Sequence, residues 1–341
     1  MPSRPRLTPA IADVRRAVRE SLLDSAADVE PGSLVLAALS GGPDSLALAA
    51  ATAFEAKRAG IRAGAVVVDH GLQEGSAEVA LAAAMHAEKL GLDPVLVRRV
   101  QVGVEGGPEA AARTARYEAL EAAAAELGAV AVLLGHTLDD QAETVLLGLA
   151  RGSGGASLGG MVPVSEAVES GVRYLRPLLG IRRSTTMQFC VDSGLEPWLD
   201  PQNSDLSFAR VRVRERVLPL LETELGPGIA EALARSAELN REDSGALDHF
   251  AAEQVEELAE HAEAGLSLSV PGLANSPAAL RQRIIRLAVS AEFGVSLTRT
   301  HTLEVAKLVT DWRGQGPIDL PGIRVVRRGG RLEFSARSEG A

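Results

Sequence analysis

Leu34-Val35-Leu36-Ala37-Ala38-Leu39 runs straight into Ser40-Gly41-Gly42-Pro43-Asp44-Ser45, and this stretch decides the fold. Six apolar residues without alternation describe a strand buried on both faces, and the small residues after it describe a tight turn into a helix. Similar apolar runs stand at 64–68, 94–97 and 129–134, separated by Ala-rich segments of helical length at 45–58, 76–90 and 108–127. Alternating strand and helix predicts right-handed crossovers and an α/β domain with a doubly wound, mostly parallel sheet. Ligands of such sheets lie beyond the carboxyl ends of the strands, which is where every motif described below falls.

The rest of the chain has a different texture. Residues 151–160 are too Gly-rich for helix or strand and predict a mobile loop; 197–206 predict an ordered turn. A helical stretch from 207 to 263 is broken near Gly226-Pro227-Gly228, and helices are expected at 277–292 and 299–311. A hairpin is expected at 317–335, with Arg327-Arg328-Gly329-Gly330-Arg331 at its turn. For 341 residues the reading is two domains, 1–224 and a smaller helical and β-hairpin domain at 225–341 that opens on an acidic helical connector.

Composition narrows the class. Hydrophobic residues at 46% exclude wholesale disorder, and 3% aromatics argue against a protein that stacks single-stranded bases on rings. One cysteine, Cys190, excludes a disulfide framework, a Cys-rich zinc finger and a cysteine-held iron–sulfur cluster. No run suits a bilayer span and no secretory leader is evident, so the expectation is a cytoplasmic protein with no membrane partner. The net charge of −10 is concentrated in residues 221–263, with twelve acids against two bases. Residues 281–337 carry eleven bases against five acids, and 171–220 carry eight against five. Each run alone reads as a solvated face; two basic regions on an acidic chain make an anionic partner plausible.

The 40–45 turn admits two readings. Its glycines and the following helix N-terminus suit an anion, with hydroxyls from Ser40 and Ser45 and a carboxylate, Asp44, able to hold Mg²⁺. The alternative is a capped turn. It lacks the Gly-Lys-Ser/Thr ending of a Walker A loop. A second constellation, Gly135-His136-Thr137-Leu138-Asp139-Asp140-Gln141-Ala142-Glu143-Thr144, follows the fourth strand. Its acids either match a helix dipole or receive a cationic substrate, and His136 is either a core histidine or a site residue. Arg113, four after Glu109, either forms an ordinary ion pair or reaches a nucleotide.

Ser40-Gly-Gly-Pro-Asp-Ser45 resembles the SGGxDS loop of the PP-loop ATP pyrophosphatases, adenine nucleotide α-hydrolase-like enzymes that cleave ATP between its α and β phosphates. Val68-Asp69-His70-Gly71-Leu72, Glu109-Ala-Ala-Ala-Arg113-Thr-Ala-Arg116-Tyr117, the 135–144 segment, Arg151-Gly-Ser-Gly154, Arg176-Pro-Leu-Leu179 and Trp198-Leu-Asp-Pro-Gln-Asn203 extend the resemblance to the tRNA(Ile)-lysidine synthase family. Gln73, Gln202 and Val211 depart from that family's pattern. The resemblance implies ATP at Ser40, Gly41, Gly42, Pro43, Asp44 and Ser45, with Mg²⁺ on Asp44. It implies Asp44, Arg113 and His136 as catalytic residues, and free L-lysine on Asp140, Glu143, Arg210 and Arg214. A tRNA(Ile) with a CAU anticodon would lie on Arg151, Arg176, Arg216, Arg324, Arg327 and Arg328. A homodimer is left open. The rivals are a tRNA thiolation enzyme, disfavoured by the single cysteine; a GMP or NAD synthetase, disfavoured by the basic C-terminal region; and a non-catalytic nucleotide-binding module.

Overall fold

The sheet that carries the loop has six strands: β1 (Leu34–Ala38), β2 (Arg62–Asp69), β3 (Val95–Arg99), β4 (Ala129–Leu133), β5 (Val164–Glu166) and β6 (Arg173–Leu175). In the computed structural model, which describes residues 7–24, 29–71, 75–103, 107–152, 154–262 and 265–337, their order is β3-β2-β1-β4-β6-β5. All neighbours are parallel except β5, which returns antiparallel to β6. The chain forms two compact units, Met1–Glu238 and Leu239–Ala341. Gln73 and Ser153, singled out in the sequence, lie outside the described residues, as does the side chain of Gln202.

Burial follows the apolar runs. Val35, Ala37, Leu39, Ala65, Val67 and Leu133 face α1 (Pro9–Asp24), α2 (Pro43–Ala59) and α3 (Ser76–Lys89), together with Phe189 and Cys190 further along. From the opposite face Leu36, Ala38, Val66 and Val132 pack on Leu120, Ala123 and Ala124 of α4 (Pro108–Leu127). The chain winds β1 to β3 in one direction, crosses by α4, and lays β4 on the other side of β1. This reversal opens a crevice at the carboxyl ends of β1 and β4.

The remaining helices of this unit are α5 (Leu138–Ala150), α6 (Gly155–Leu158), α7 (Arg183–Asp192), α8 (Ala209–Arg212), α9 (Leu218–Leu225) and the start of α10 (Ile229–Leu258). A π-helical turn, Val213–Val217, joins α8 to α9. The loop expected at 151–160 contains one helical turn, α6, and its end is pinned. Gln141 donates to the Met161 carbonyl at 2.9 Å and accepts from Met161 N–H at 2.7 Å.

The second unit holds β7 (Ala259–Ala262), β8 (Gly265–Ser269), α11 (Val270–Asn275), α12 (Ala278–Phe293), α13 (Arg299–Thr310), β9 (Ile318–Leu320), β10 (Ile323–Arg328) and β11 (Arg331–Ala336). The expected terminal hairpin is β10–β11, but it belongs to a five-stranded antiparallel sheet ordered β7-β8-β11-β10-β9. The helix expected to run to 263 ends at Leu258 because Gly265-Leu-Ser-Leu-Ser269 alternates with period two and pairs with both β7 and β11. Leu268, Ile284, Ile285, Val305, Val325 and Phe334 fill its core.

Leu36 lies at the centre of β1 with no exposed surface. Leu36→Ala is expected to cost about 2–5 kcal/mol through lost transfer energy and a residual cavity. A lowered urea midpoint checks this; an unchanged midpoint would show that the sheet does not depend on this contact.

Candidate active site

The turn after β1 is shaped by its own hydroxyls. Ser45 Oγ accepts from Ser40 N–H at 3.1 Å and donates to the Gly42 carbonyl at 3.0 Å, while the Ser40 and Ser45 hydroxyls are 3.0 Å apart. Gly41 takes φ +84°, which favours glycine, and its carbonyl accepts from Trp198 N–H at 2.9 Å. Among the described residues no side chain caps α2, so the donors of its first turn could receive an anion. Gly135, at the end of β4, lets the two loops touch: a Cβ there would stand 3.2 Å from backbone atoms of Asp44 and Ser45.

On the β4 side, Thr137 and Asp140 form a capping box that starts α5. Asp140 Oδ2 accepts from Thr137 N–H at 2.8 Å and from its hydroxyl at 2.9 Å. Oδ1 of Asp140 accepts from Arg183 at 2.7 Å. Glu143, one turn on, is fully buried and is held by three guanidiniums: Arg183 at 3.3 Å, Arg210 at 3.0 Å and Arg214 at 2.7 and 3.0 Å. Arg183 also donates to Asp44 Oδ2 at 3.2 Å, and Thr186 donates to Asp44 Oδ1.

These contacts set the charges. Burial pushes the Asp44 carboxyl up, against the pull of Arg183 and Thr186. Burial would also raise Asp140, but Arg183, the Thr137 N–H and Arg210 hold it below the usual carboxylate range. For Arg183 burial works toward deprotonation and is outweighed by Asp140, Asp44 and Glu143, which keep it charged. His136 is pushed down to about 3, first by burial and then by Arg116, so its ring is neutral. His70 is lowered by the same two causes. The Nδ1 atoms of both rings are buried without a hydrogen-bond partner among the described residues.

Two adjoining cavities lie at the strand ends. One of about 460 Å³ is lined by Ser40, Gly42, Asp44, His136, Asp140 and Arg183. The other, about 180 Å³, is lined chiefly by apolar residues including Val66, Val68, Val79 and Leu120, with Asp69 and His70. Ser40, Arg116 and Asp200 line both. The structure thus gathers the 40–45 turn, His136, Asp140, Glu143, Arg210 and Arg214 in one place. Glu143 stands behind the arginines rather than on the cavity wall. Arg113 is exposed, bonded to the Tyr117 hydroxyl at 3.2 Å and lying over that ring; Arg116, one helical turn on, faces the cavities.

Arg183 was not legible as a site residue from any motif. A signal exists nonetheless: Arg182 and Arg183 open a helix, where cations oppose the dipole. Asp139 resolves that conflict by accepting from Arg183 N–H at 2.7 Å and pairing with Arg182 at 3.5 Å. Of the basic residues expected at a surface, Arg151 and Arg216 are exposed. Arg176 is 8% exposed and bonded to the Val162 carbonyl and Ser165 hydroxyl at 3.0 and 2.9 Å. Arg324 and Arg328 are exposed beside Asp319 and Glu333, and Arg327 donates to the Leu308 carbonyl at 2.7 Å and lies over Trp312.

Residues 14–221, which carry the parallel sheet and the glycine turn at its switch point, match the PP-loop domain family. Residues 268–333 match a second one, the TilS substrate binding domain. The chain is 65% identical to the tRNA(Ile)-lysidine synthase of Leifsonia xyli over 89% of its own length and 90% of that protein's. It is 54% identical to that of Thermobifida fusca, over 94% and 95%. The chain belongs to the tRNA(Ile)-lysidine synthase family. Its fold is also that of a U34-tRNA thiolase from Methanococcus maripaludis, with a TM-score of 0.56 at 21% identity over 68% of this chain and 80% of that one.

A half-buried His136 whose ring stays neutral makes a clear prediction. The ring takes a proton near 6.5 when unfolded and only near 3 when folded, so it subtracts stability as pH falls through that interval. Its Cε1–H resonance is expected to hold still from about pH 5 to about pH 8, and a midpoint near 6.5 would contradict the assigned environment.

Proposed function

We infer that the chain is an ATP-dependent carbon–nitrogen ligase that joins L-lysine to the wobble cytidine of the CAU anticodon of tRNA(Ile), through an adenylated cytidine, with release of AMP and pyrophosphate. One observation carries the reading in a chain of this family: the anion-shaped turn and the carboxylate–arginine network open on the same cavity of about 460 Å³.

ATP is assigned to the two adjoining cavities, adenosine in the apolar one and phosphates against Ser40, Gly41, Gly42, Pro43, Asp44 and Ser45. Backbone donors and the α2 N-terminus favour the charge that gathers on the leaving pyrophosphate. Asp44 fits Mg²⁺ of the kind held mostly by substrate phosphates: it offers a single half-buried carboxylate. The described residues contain no cluster of three ligands that would cage a metal without substrate. Bound there, the ion would neutralise phosphate charge. Arg116 lines both cavities, so the α-phosphate is assigned to it rather than to Arg113. His136 offers hydrogen bonding from a neutral ring.

The cytidine O2 attacks the α-phosphorus and pyrophosphate leaves; the lysine ε-ammonium then gives up a proton to water, the free amine attacks the activated C2, and AMP leaves with the former O2. Asp140, kept ionised, suits an anchor for the ammonium better than a proton acceptor. Arg210 and Arg214 are assigned to the lysine carboxylate, with Glu143 fixing both guanidiniums. Exposed Arg151, Arg216, Arg324 and Arg328 are assigned to tRNA phosphates, whose contacts weaken with salt. All these residues belong to one chain, and the reading asks nothing of a homodimer. We place the reaction in the cytoplasm; among the described residues no helix is long and apolar enough to cross a membrane.

Incubating the protein with tRNA(Ile), ATP and isotopically labelled lysine, then digesting the tRNA to nucleosides for mass spectrometry, tests this directly. Labelled lysidine is the expected product. A thiolated nucleoside, or unmodified cytidine in a folded protein supplied with all three substrates, would contradict it.

A further inference from the structure

Three carboxylates and three guanidiniums pair in and behind the cavity wall. Asp44, Asp140 and Glu143 face Arg183, Arg210 and Arg214, in contacts of 2.7 to 3.6 Å. A substrate ammonium seated on Asp140 Oδ1 would meet the Arg183 guanidinium already there, and two cations crowded at one part-buried oxygen are costly unless one withdraws. The three arginines are not equally placed to do so. Arg210 is tied to Glu143 and Thr144, and Arg214 grips Glu143 through two nitrogens and stands only at 3.6 Å from Asp140 Oδ1. Arg183 alone reaches across, with Nε on Asp44 in the phosphate turn and its terminal nitrogens on Asp140 and Glu143.

Asp140 is built to survive that withdrawal. Its Oδ2 is fixed by the Thr137 N–H and hydroxyl, so only Oδ1 depends on Arg183. The backbone beneath Arg183 is fixed as well, because its N–H is held by Asp139 and, two residues before it, the Ile181 carbonyl accepts from Leu138 N–H at 2.9 Å. The side chain has somewhere to go: it lines the same cavity as Ser40, Gly42 and Ser45. Phosphate oxygens offer a guanidinium the same forked geometry that carboxylates do.

We propose that Arg183 is a positioning residue that couples nucleotide binding to capture of the amine substrate: its guanidinium holds Asp140 Oδ1 in the place of an ammonium, and a triphosphate in the cavity draws it off. The role rests on the reading above, in which ATP and lysine share this cavity. It orders the reaction, since a site that prefers the amine once phosphates are present wastes little binding on lysine alone. Coupling of this kind is reciprocal, so lysine also tightens the nucleotide.

Calorimetric titration of L-lysine into the intact chain, with and without α,β-methylene-ATP and Mg²⁺, tests the proposal. L-norleucine, which lacks the side-chain ammonium, is the control. In the native protein lysine is expected to bind about tenfold tighter with the nucleotide present, within the range of ordinary site–site couplings. In Arg183→Gln lysine is expected to bind tighter than in the native protein even without nucleotide, the nucleotide effect falls away, and norleucine is unchanged. A merely structural strut predicts the opposite, weaker lysine binding in the variant. Equal lysine affinity with and without nucleotide in the native protein overturns the coupling by itself, and this arm needs no variant to fold. Absence of lysine binding to the native protein under both conditions overturns the ligase reading along with it.

Discussion

A single buried carboxylate organises the catalytic unit. Glu143 has no exposed surface and accepts hydrogen bonds from Arg183, Arg210 and Arg214, which come from two segments remote in sequence. Burying that charge is costly unless it is met by close, well-oriented cations, and forked guanidiniums are the side chains suited to the task. The constraint runs outward. Arg183 carries it to Asp44 and so to the phosphate turn, while Arg210 and Arg214 fix the stretch from α8 through the π turn against α5. Such a turn is frequent where a helix must aim side chains at a site.

The sheet supplies the stage. Reversal of strand order between β1 and β4 brings two loops together that are distant in the chain, and Gly135 allows their backbones to meet. Anion-binding donors then stand on one side of the crevice and carboxylates on the other. On the proposed function a triphosphate and an ammonium would be held there at once, and this separation of charge suits both.

Much of this could be read from the sequence because it is local. The β1 turn, the capping box of Thr137 and Asp140, and the apolar strands are written in consecutive residues. Non-local features were out of reach. Arg183 contacts acids through tertiary packing, and its neighbours, Arg182 and Ser184, give no periodic signal beyond cations set against a helix dipole. Arg113 and Arg116 sit three apart on one helix, and only the packing of α4 on the sheet tells which one faces the cavities. Arg176 reads as a surface base, yet its place after β6 buries it against Val162 and Ser165. The strands β7 and β8 were hidden because a long acidic helix runs directly into them.

The claim that Glu143 organises the site is tested most directly by comparing the unfolding of Glu143→Gln with that of the native protein. The amide keeps the shape and removes the charge, leaving three guanidiniums gathered without their common partner. A loss of about 3–5 kcal/mol is expected, the usual penalty for breaking a buried pair, together with loss of lysine binding. Stability and lysine affinity equal to those of the native protein would contradict the account.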